Sequence, residues 1–504
     1  MSGIALPLQT SPGTSQREIR AALWLFGAFS LLYLSTSKGI FEYGDDWSML
    51  YVTNAIVDHM GTDVPSDAPG SVHGKDGRFY SKYGLGQSLA AVPFYLAGHE
   101  LAELRGHQVT NGGHLLQATE LTYAVTMLSV LATAASVALL YLTCRLMGFS
   151  TGSAVLTAIA LGLGTFAWHY SRTFMTEPTN MLALLLAFYF QLRWAILPRT
   201  GWLLLSGLCA GATILVHLST IVALPALGLW LLWRAWDRRI GVGRAIVVAA
   251  VWSAPIAAAV AIVAAYNLDR FGSMGETGYG SPTAALVNPA WIGLYGFLVS
   301  PGKGVFVYAP ILIASAVGWS ALWRRQRDVA ACVALSIGCY LTFHAMLSYW
   351  WGGGAWGPRY ATVILPLMML GLPALIDGGL GWAGWVAMTA LGLASLLVQL
   401  ASVLVPYIPY EARMEATPVL FNELLWNPAY SPVVHHTRSL LRGRYAPDLA
   451  FTYFQQPSWE WWQGGGFVVA AALVVGWAWW QCVPSRSLAS DNRREVVPEH
   501  TIGN

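Results

Sequence analysis

Runs of about 18 or more residues without a charged side chain recur along most of this 504-residue chain. As helices rising 1.5 Å per residue, each is long enough to cross a hydrocarbon core of ~30 Å. Only 11% of the residues are charged and 56% are hydrophobic, against about 25% and about 45–50% in ordinary soluble domains. A soluble enzyme is therefore excluded, and an all-α polytopic membrane protein is expected. The net charge of +3 announces no polyanion-binding face and argues against a nucleic-acid partner. Cys144, Cys209, Cys332, Cys339 and Cys482 lie in or beside apolar runs without C-x-x-C spacing, so they read as small core residues.

The uncharged runs place spans near 20–38, 118–145, 150–168, 179–198, 202–218, 220–235, 245–266, 304–324, 328–349, 361–378, 381–405 and 464–484. The stretch Thr200 to Trp233 holds about 34 residues, ~50 Å as one helix, too long for a single upright crossing. Arg193 and Arg199 precede it and Arg234, Arg238, Arg239 and Arg244 follow it, so the positive-inside rule puts both ends in the cytoplasm and a turn near His217. Arg145, Arg324, Arg325, Arg327, Arg486, Arg493 and Arg494 fit the same orientation. The expected architecture is a bundle of about 12 transmembrane helices. Its parts are a cytoplasmic N-terminus 1–19, a membrane region 20–405 with a long outer loop 39–117, an outer segment 406–463, a last span 464–484 and a cytoplasmic tail 485–504. A polar stretch precedes the first span and no small-residue cleavage site follows it closely, so that span is expected to stay as a helix. Leu85 to Leu104 is semi-apolar and ends in acids; it reads as an amphipathic helix on the membrane surface, because counting it as a span would invert every later loop.

The outer side receives the polar sequence. Asp45 and Asp46 follow the first span among aromatic residues. A partly shielded carboxylate there suits a general base acting on a hydroxyl; a solvated helix cap is the alternative. Downstream in the same loop, Gly77-Arg78-Phe79-Tyr80-Ser81-Lys82-Tyr83-Gly84-Leu85-Gly86-Gln87 supplies cations and hydroxyls where the surface helix begins.

Together these features resemble the GT-C glycosyltransferases, membrane enzymes that take sugars from polyprenyl-phosphate donors, and in particular the branch of the protein O-mannosyltransferases and lipid A aminoarabinose transferase. The resemblance rests on Asp45-Asp46, the helix Leu85 to Leu104, the turn Arg172-Thr173-Phe174-Met175-Thr176-Glu177-Pro178, the segment Ser300-Pro301-Gly302-Lys303-Gly304 and the later Trp350-Trp351-Gly352-Gly353-Gly354-Ala355-Trp356-Gly357-Pro358-Arg359-Tyr360. Two places depart from the pattern: Tyr83 to Gln87 replaces a Pro-Pro-Leu type motif, and His217 stands where many relatives carry Arg or Lys.

The resemblance implies an inverting transferase in the cell (plasma or inner) membrane with its site on the outer face, a polyprenyl-phosphate sugar as donor, and a glycan, lipid or protein as acceptor. It implies Asp45 as base, with Asp46 positioning the acceptor or a metal. Lys82, Arg172, Lys303, Arg359 and His217 are candidates for the donor phosphate, since guanidinium and ammonium groups stabilise a leaving phosphate well. Tyr83, Gln87, His169, Glu177, Trp356 and Tyr360 are candidates for donor or acceptor contacts. No cofactor is required by the pattern; a divalent cation is left open. Plain structural readings stand beside these: Arg359 as an interfacial anchor, Arg172 and Glu177 paired with each other, and His169 and His217 as packing residues. His435-His436 lack the i, i+4 spacing of a helical metal pair. Tyr407, Tyr410, Trp426, Tyr430, Tyr445, Tyr453, Trp459, Trp461 and Trp462 suit sugar stacking or a membrane interface equally. The competing function is a secondary transporter or a non-catalytic, flippase-like lipid binder. A transporter would place ionisable groups near the midplane, whereas here they gather on the outer side.

Overall fold

The computed structural model describes residues 15–111, 114–116, 118–280, 285–444, 449, 465–466, 468–474 and 476–477. About half of the expected last span, the tail, and Tyr445, Tyr453, Trp459, Trp461, Trp462 and Cys482 lie outside these. The first part of the chain forms α1 (Gln16–Ser35), α2 (Gly44–His59), α3 (Leu85–Leu104), α4 (Thr119–Leu146), α5 (Thr151–Gly164), α6 (Ala167–Tyr170), α7 (Thr176–Ile196), α8 (Thr200–Val216), α9 (Leu224–Asp237) and α10 (Val242–Phe271). Among the described residues eight helices are long and apolar enough to cross a membrane, and the apolar helices Thr151–Gly164, Thr200–Val216 and Ala290–Val299 are shorter. The chain is thus a helical, multi-pass membrane protein, as its uncharged runs predict.

Local signals explain the ends of these helices. Ser15 and Glu18 close a capping box on α1, satisfying two of the backbone N–H groups that a helix start leaves unpaired. Gly272, at φ +78°, ends α10 in the left-handed conformation that glycine adopts without strain. The long uncharged run does turn at His217: the residue is extended, a 3-10 turn follows over Leu218–Ala223, and Arg238 at the end of α9 bonds the carbonyls of Trp194 and Ala195 just before α8.

The expected spans 150–168 and 361–378 are interrupted, after Gly164 and around Leu365, and two further stretches differ from expectation. The run 304–324 is split into Val305–Tyr308 and Ile311–Arg325 because Pro310 lacks an N–H and forces Ala309 out of the helical region. The outer stretch 267–303 contains the helix Ala290–Val299. It is too short for a span and too apolar for a loop, and it packs on Arg327–Ala345.

The charged ends form one contiguous staple. Glu18 pairs with Arg145, Arg325 reaches the Gly148 carbonyl and Asp377, and Asp377 also accepts from Ser150. Elsewhere the bundle closes through small residues. A Cβ on Gly318 would lie 2.0 Å from the Gly371 carbonyl oxygen, whereas nothing lies within 4 Å of one on Gly338. Gly318→Ala is therefore expected to destabilise the bundle by about 1–3 kcal/mol through overpacking, and Gly338→Ala to leave it unchanged or slightly firmer. Thermal unfolding in one detergent checks the pair.

The loop expected on the outer side, as far as it is described, is a folded platform. Strands β1 (Asp63–Val64), β2 (Ser71–His73) and β3 (Phe79–Ser81) form an antiparallel sheet in the order β1-β3-β2. Helix α3 lies against α2, α4 and α8. Three polar contacts lock α2 to this platform: Ser48 to Ser81 at 2.8 Å, Ser88 to the Met49 carbonyl at 2.9 Å and Tyr95 to Asn54 at 2.6 Å.

Candidate active site

Asp45 and Asp46 occupy the first turn of α2, where the helix dipole favours negative charge. Their surroundings differ sharply. The Asp45 side chain keeps 25% exposure and Asp46 only 1%, so Asp45 is the one a substrate can reach. Asp45 Oδ1 accepts from the Tyr83 hydroxyl at 2.5 Å and Oδ2 faces Arg359 Nη1 at 2.7 Å. Burial works to raise its carboxyl, but Arg359, the Tyr83 hydrogen bond and the more distant Lys82 outweigh it and hold the group below its usual value. Asp46 moves the other way. Burial first, and then the Asp45 charge, push its carboxyl well above the usual range, although the Phe174 backbone N–H donates to it; its Oδ1 is buried without a hydrogen-bond partner among the described residues. Two adjacent acids are thus pushed in opposite directions, the reachable one toward its ionised form and the buried one toward its neutral form, a division that environment imposes on carboxyl pairs.

Arg359 joins distant parts of the chain. Its Nε donates to Glu177 Oε1 at 2.5 Å while Nη1 holds Asp45, so one planar guanidinium bridges the outer loop and the start of α7. Glu177 therefore pairs with Arg359, not with Arg172; Arg172 is buried, with Nε bonded to the Thr36 carbonyl. His217 lies within electrostatic reach of Arg359 and Asp45, and its Nδ1 meets Ser219 Oγ at 2.8 Å, which also meets His344 Nε2 at 3.1 Å. Tyr360 stacks beside His344 at 4.6 Å between ring centroids.

The motif Tyr83 to Gln87 seats the platform on the bundle. A Cβ on Gly84 would lie 2.7 Å from the Leu215 carbonyl oxygen, and one on Gly86 2.6 Å from the Leu215 carbonyl carbon, so only bare backbone fits against the hairpin tip. Gln87 donates to the carbonyls of Phe174 and Met175 at 3.0 and 3.2 Å.

Lys82 stands over the rings of Tyr83 and Tyr279, at 5.5 and 5.2 Å. Sequence reasoning missed its neighbour Arg270, which is 2% exposed, bonded to the Ser81 carbonyl and stacked 3.5 Å from the Tyr266 centroid. The available signal was an arginine at the outer end of a long apolar run, against the positive-inside trend. The other candidates assemble elsewhere. His169 Nε2 meets the Tyr43 hydroxyl at 3.3 Å, Trp356 stacks on His169 at 5.8 Å, and the Lys303 ammonium donates to the carbonyls of Gly353 and Ala355. Among the described residues no group of three or more His, Cys, Asp or Glu side chains is arranged to hold a metal ion.

Residues 113–265 match the family model described as Dolichyl-phosphate-mannose-protein mannosyltransferase. The match covers α4 to most of α10, including the turn that carries Glu177, and bears out the resemblance to the GT-C glycosyltransferases. No curated protein matches the chain. Among solved structures, ArnT from Cupriavidus metallidurans in the apo state is similar at 14% identity over 92% of this chain and 76% of that one, with a TM-score of 0.47. The same protein bound to undecaprenyl phosphate is similar at 13% identity over 91% and 77%, with a TM-score of 0.46.

Proposed function

We propose that the chain is an inverting GT-C glycosyltransferase that moves a sugar from a polyprenyl-phosphate donor to an acceptor hydroxyl on the outer face of the cell membrane. The observation that carries this reading is the acid pair: a quarter-exposed Asp45 held by Arg359 and Tyr83 beside a buried Asp46, in a site that also gathers Lys82 and Arg270. The family match over 113–265 supports the reaction class.

In this reading the acceptor oxygen attacks the anomeric carbon from one side while the bond to the phosphate oxygen breaks on the other. The acceptor proton passes to Asp45, and the electron pair leaves with the phosphate. Lys82 and Arg270 sit together where the platform meets the outer end of α10, and their cations stabilise that departing charge. Asp46, buried in the first turn of α2, supports Asp45 from the adjacent position. Tyr83 keeps Asp45 oriented, and the Arg359–Glu177 pair fixes its second oxygen. The acceptor class and the sugar are open, and glycan, lipid and protein acceptors all present the required hydroxyl.

Purified protein given a panel of short-chain polyprenyl-phosphate sugars is expected to consume one of them. A folded protein that binds polyprenyl phosphate and consumes none would instead mark a lipid-binding or flippase-like function.

Tyr83→Phe offers a finer check. Hydrogen bonds to a charged group contribute about 1.5–3 kcal/mol, and 1.36 kcal/mol corresponds to one pKa unit. Because the hydroxyl stabilises the ionised form, its loss raises the Asp45 carboxyl, and the acid limb of the pH–rate profile is expected to move up by about one to two pH units. A rate change without that displacement would place Tyr83 outside the proton-transfer step.

A further inference from the structure

Arg359 follows a segment that ought not to hold it still. Gly352, Gly353, Gly354 and Gly357 precede it, three of them at positive φ of +80°, +73° and +65°, and glycine has the most backbone freedom to lose on ordering. Yet the guanidinium must meet Asp45 and Glu177 together, at 2.7 and 2.5 Å.

Two buried side chains from separate parts of the chain meet this segment, Lys303 by hydrogen bonds and Glu411 by close approach. Lys303, fully buried, donates through its ammonium to the carbonyls of Gly353, at 3.0 Å, and Ala355. On the helix Ile408–Glu415, Glu411 is 4% exposed and accepts from Tyr407 at 3.1 Å; its two oxygens lie 3.0 Å from where a Cβ on Gly354 would stand. The turn that carries Lys303 is itself pinned. Ser300 Oγ donates to the Leu425 carbonyl at 2.5 Å, Ser431 Oγ to the Pro301 carbonyl at 2.6 Å and Tyr308 to the Gly302 carbonyl at 2.7 Å. Burying a lysine is costly unless its charge is met, and here carbonyls and the field of Glu411 and Glu415 meet it.

We propose that Lys303 and Glu411 form a clasp on Gly353–Ala355 that sets the Arg359 guanidinium against Asp45, which makes Lys303 a positioning residue for the transfer reaction and links the late outer segment to the reacting centre. The proposal rests on the reading of Asp45 as base. Burial draws Lys303 down to about 8 and lifts Glu411 to about 7, each opposed by the other's charge, as expected of two charges enclosed together.

The test uses Lys303→Met and Glu411→Gln in the full-length protein, with transfer measured against pH. A misplaced Arg359 is expected to lower kcat on the order of 10²-fold while the donor KM stays within about twofold. Because Arg359 holds Asp45 ionised, its displacement also moves the acid limb to higher pH. Glu411→Gln gives the same signature more weakly and serves if Lys303→Met fails to fold. A raised donor KM with an unmoved limb would make Lys303 a phosphate ligand, and a lower kcat with an unmoved limb would make its role purely structural; either overturns the proposal. A second readout needs no activity: chymotryptic cleavage within 350–360 is expected to be slow in the parent and at least about tenfold faster in Lys303→Met, as local opening becomes cheaper. Equal cleavage would overturn the clasp even if the parent transfers no sugar, whereas faster cleavage of Lys303→Met combined with no transferase activity in the parent would sink the functional reading and leave the clasp standing.

Discussion

Asp45→Asn is expected to lower sugar transfer by about 10²–10⁴-fold, the usual worth of a positioned general base, with donor binding little changed. Asparagine keeps the shape and an acceptor oxygen for the Tyr83 hydroxyl, and Arg359 keeps Glu177, so the protein should fold. Asp46→Asn is the informative partner. Because Asp46 is held neutral by burial and by the adjacent negative charge, the substitution replaces one uncharged group by another, and the loss is expected to stay within about tenfold. Initial rates of the two variants on the same donor decide the assignment. If Asp46→Asn is the dead variant and Asp45→Asn the active one, the roles of the two acids are reversed.

Arg359→Ala is expected to have the largest effect on stability. Its removal strands Asp45 and Glu177, and breaking a buried pair from one side costs about 3–5 kcal/mol because a charge is left uncompensated. Glu177 is the more exposed to this loss, since it is 3% accessible and its Oε2 has no hydrogen-bond partner among the described residues. Arg359→Lys should fall between, because an ammonium cannot span two carboxylates with the fixed fork that guanidinium offers. Adding Glu177→Gln to Arg359→Ala should recover part of the loss, and the size of that recovery is the coupling between them. Thermal unfolding of the two single variants and the double variant measures it. Additive losses would mean that the 2.5 Å contact carries no net energy.

The bundle was legible because long uncharged runs have few other fates, and α3 falls on Leu85–Leu104, where acids at one end and apolar residues along it allow little else. Helix α2 was not foreseen. Its pattern is weakly amphipathic, and what makes it helical is seating on α3 and β3, a tertiary effect that local sequence does not carry. Asp45 and Asp46 stood out as adjacent acids past a span, but the opposite environments of the two depend on burial and on Arg359, a residue far along the chain. Glu177 shows the same limit. Its nearest cation in sequence is Arg172, whereas its partner in space is Arg359. Lys303 between two glycines reads as a ligand-facing cation until the carbonyls it meets are seen.

Seating Asp45 against Arg359 also sets a timetable for biosynthesis. A chain is made from its N-terminus, so Asp45, Tyr83 and Lys82 emerge with the same early loop, while Arg359 follows six of the eight membrane-length helices among the described residues. Domains form as their segments become available, so an incompletely inserted chain displays the acids without the guanidinium that orders them. That guanidinium arrives late, with the final third of the polypeptide, and a ribosome that stalls before that point releases a membrane-embedded fragment whose acid pair lacks its Arg359 partner.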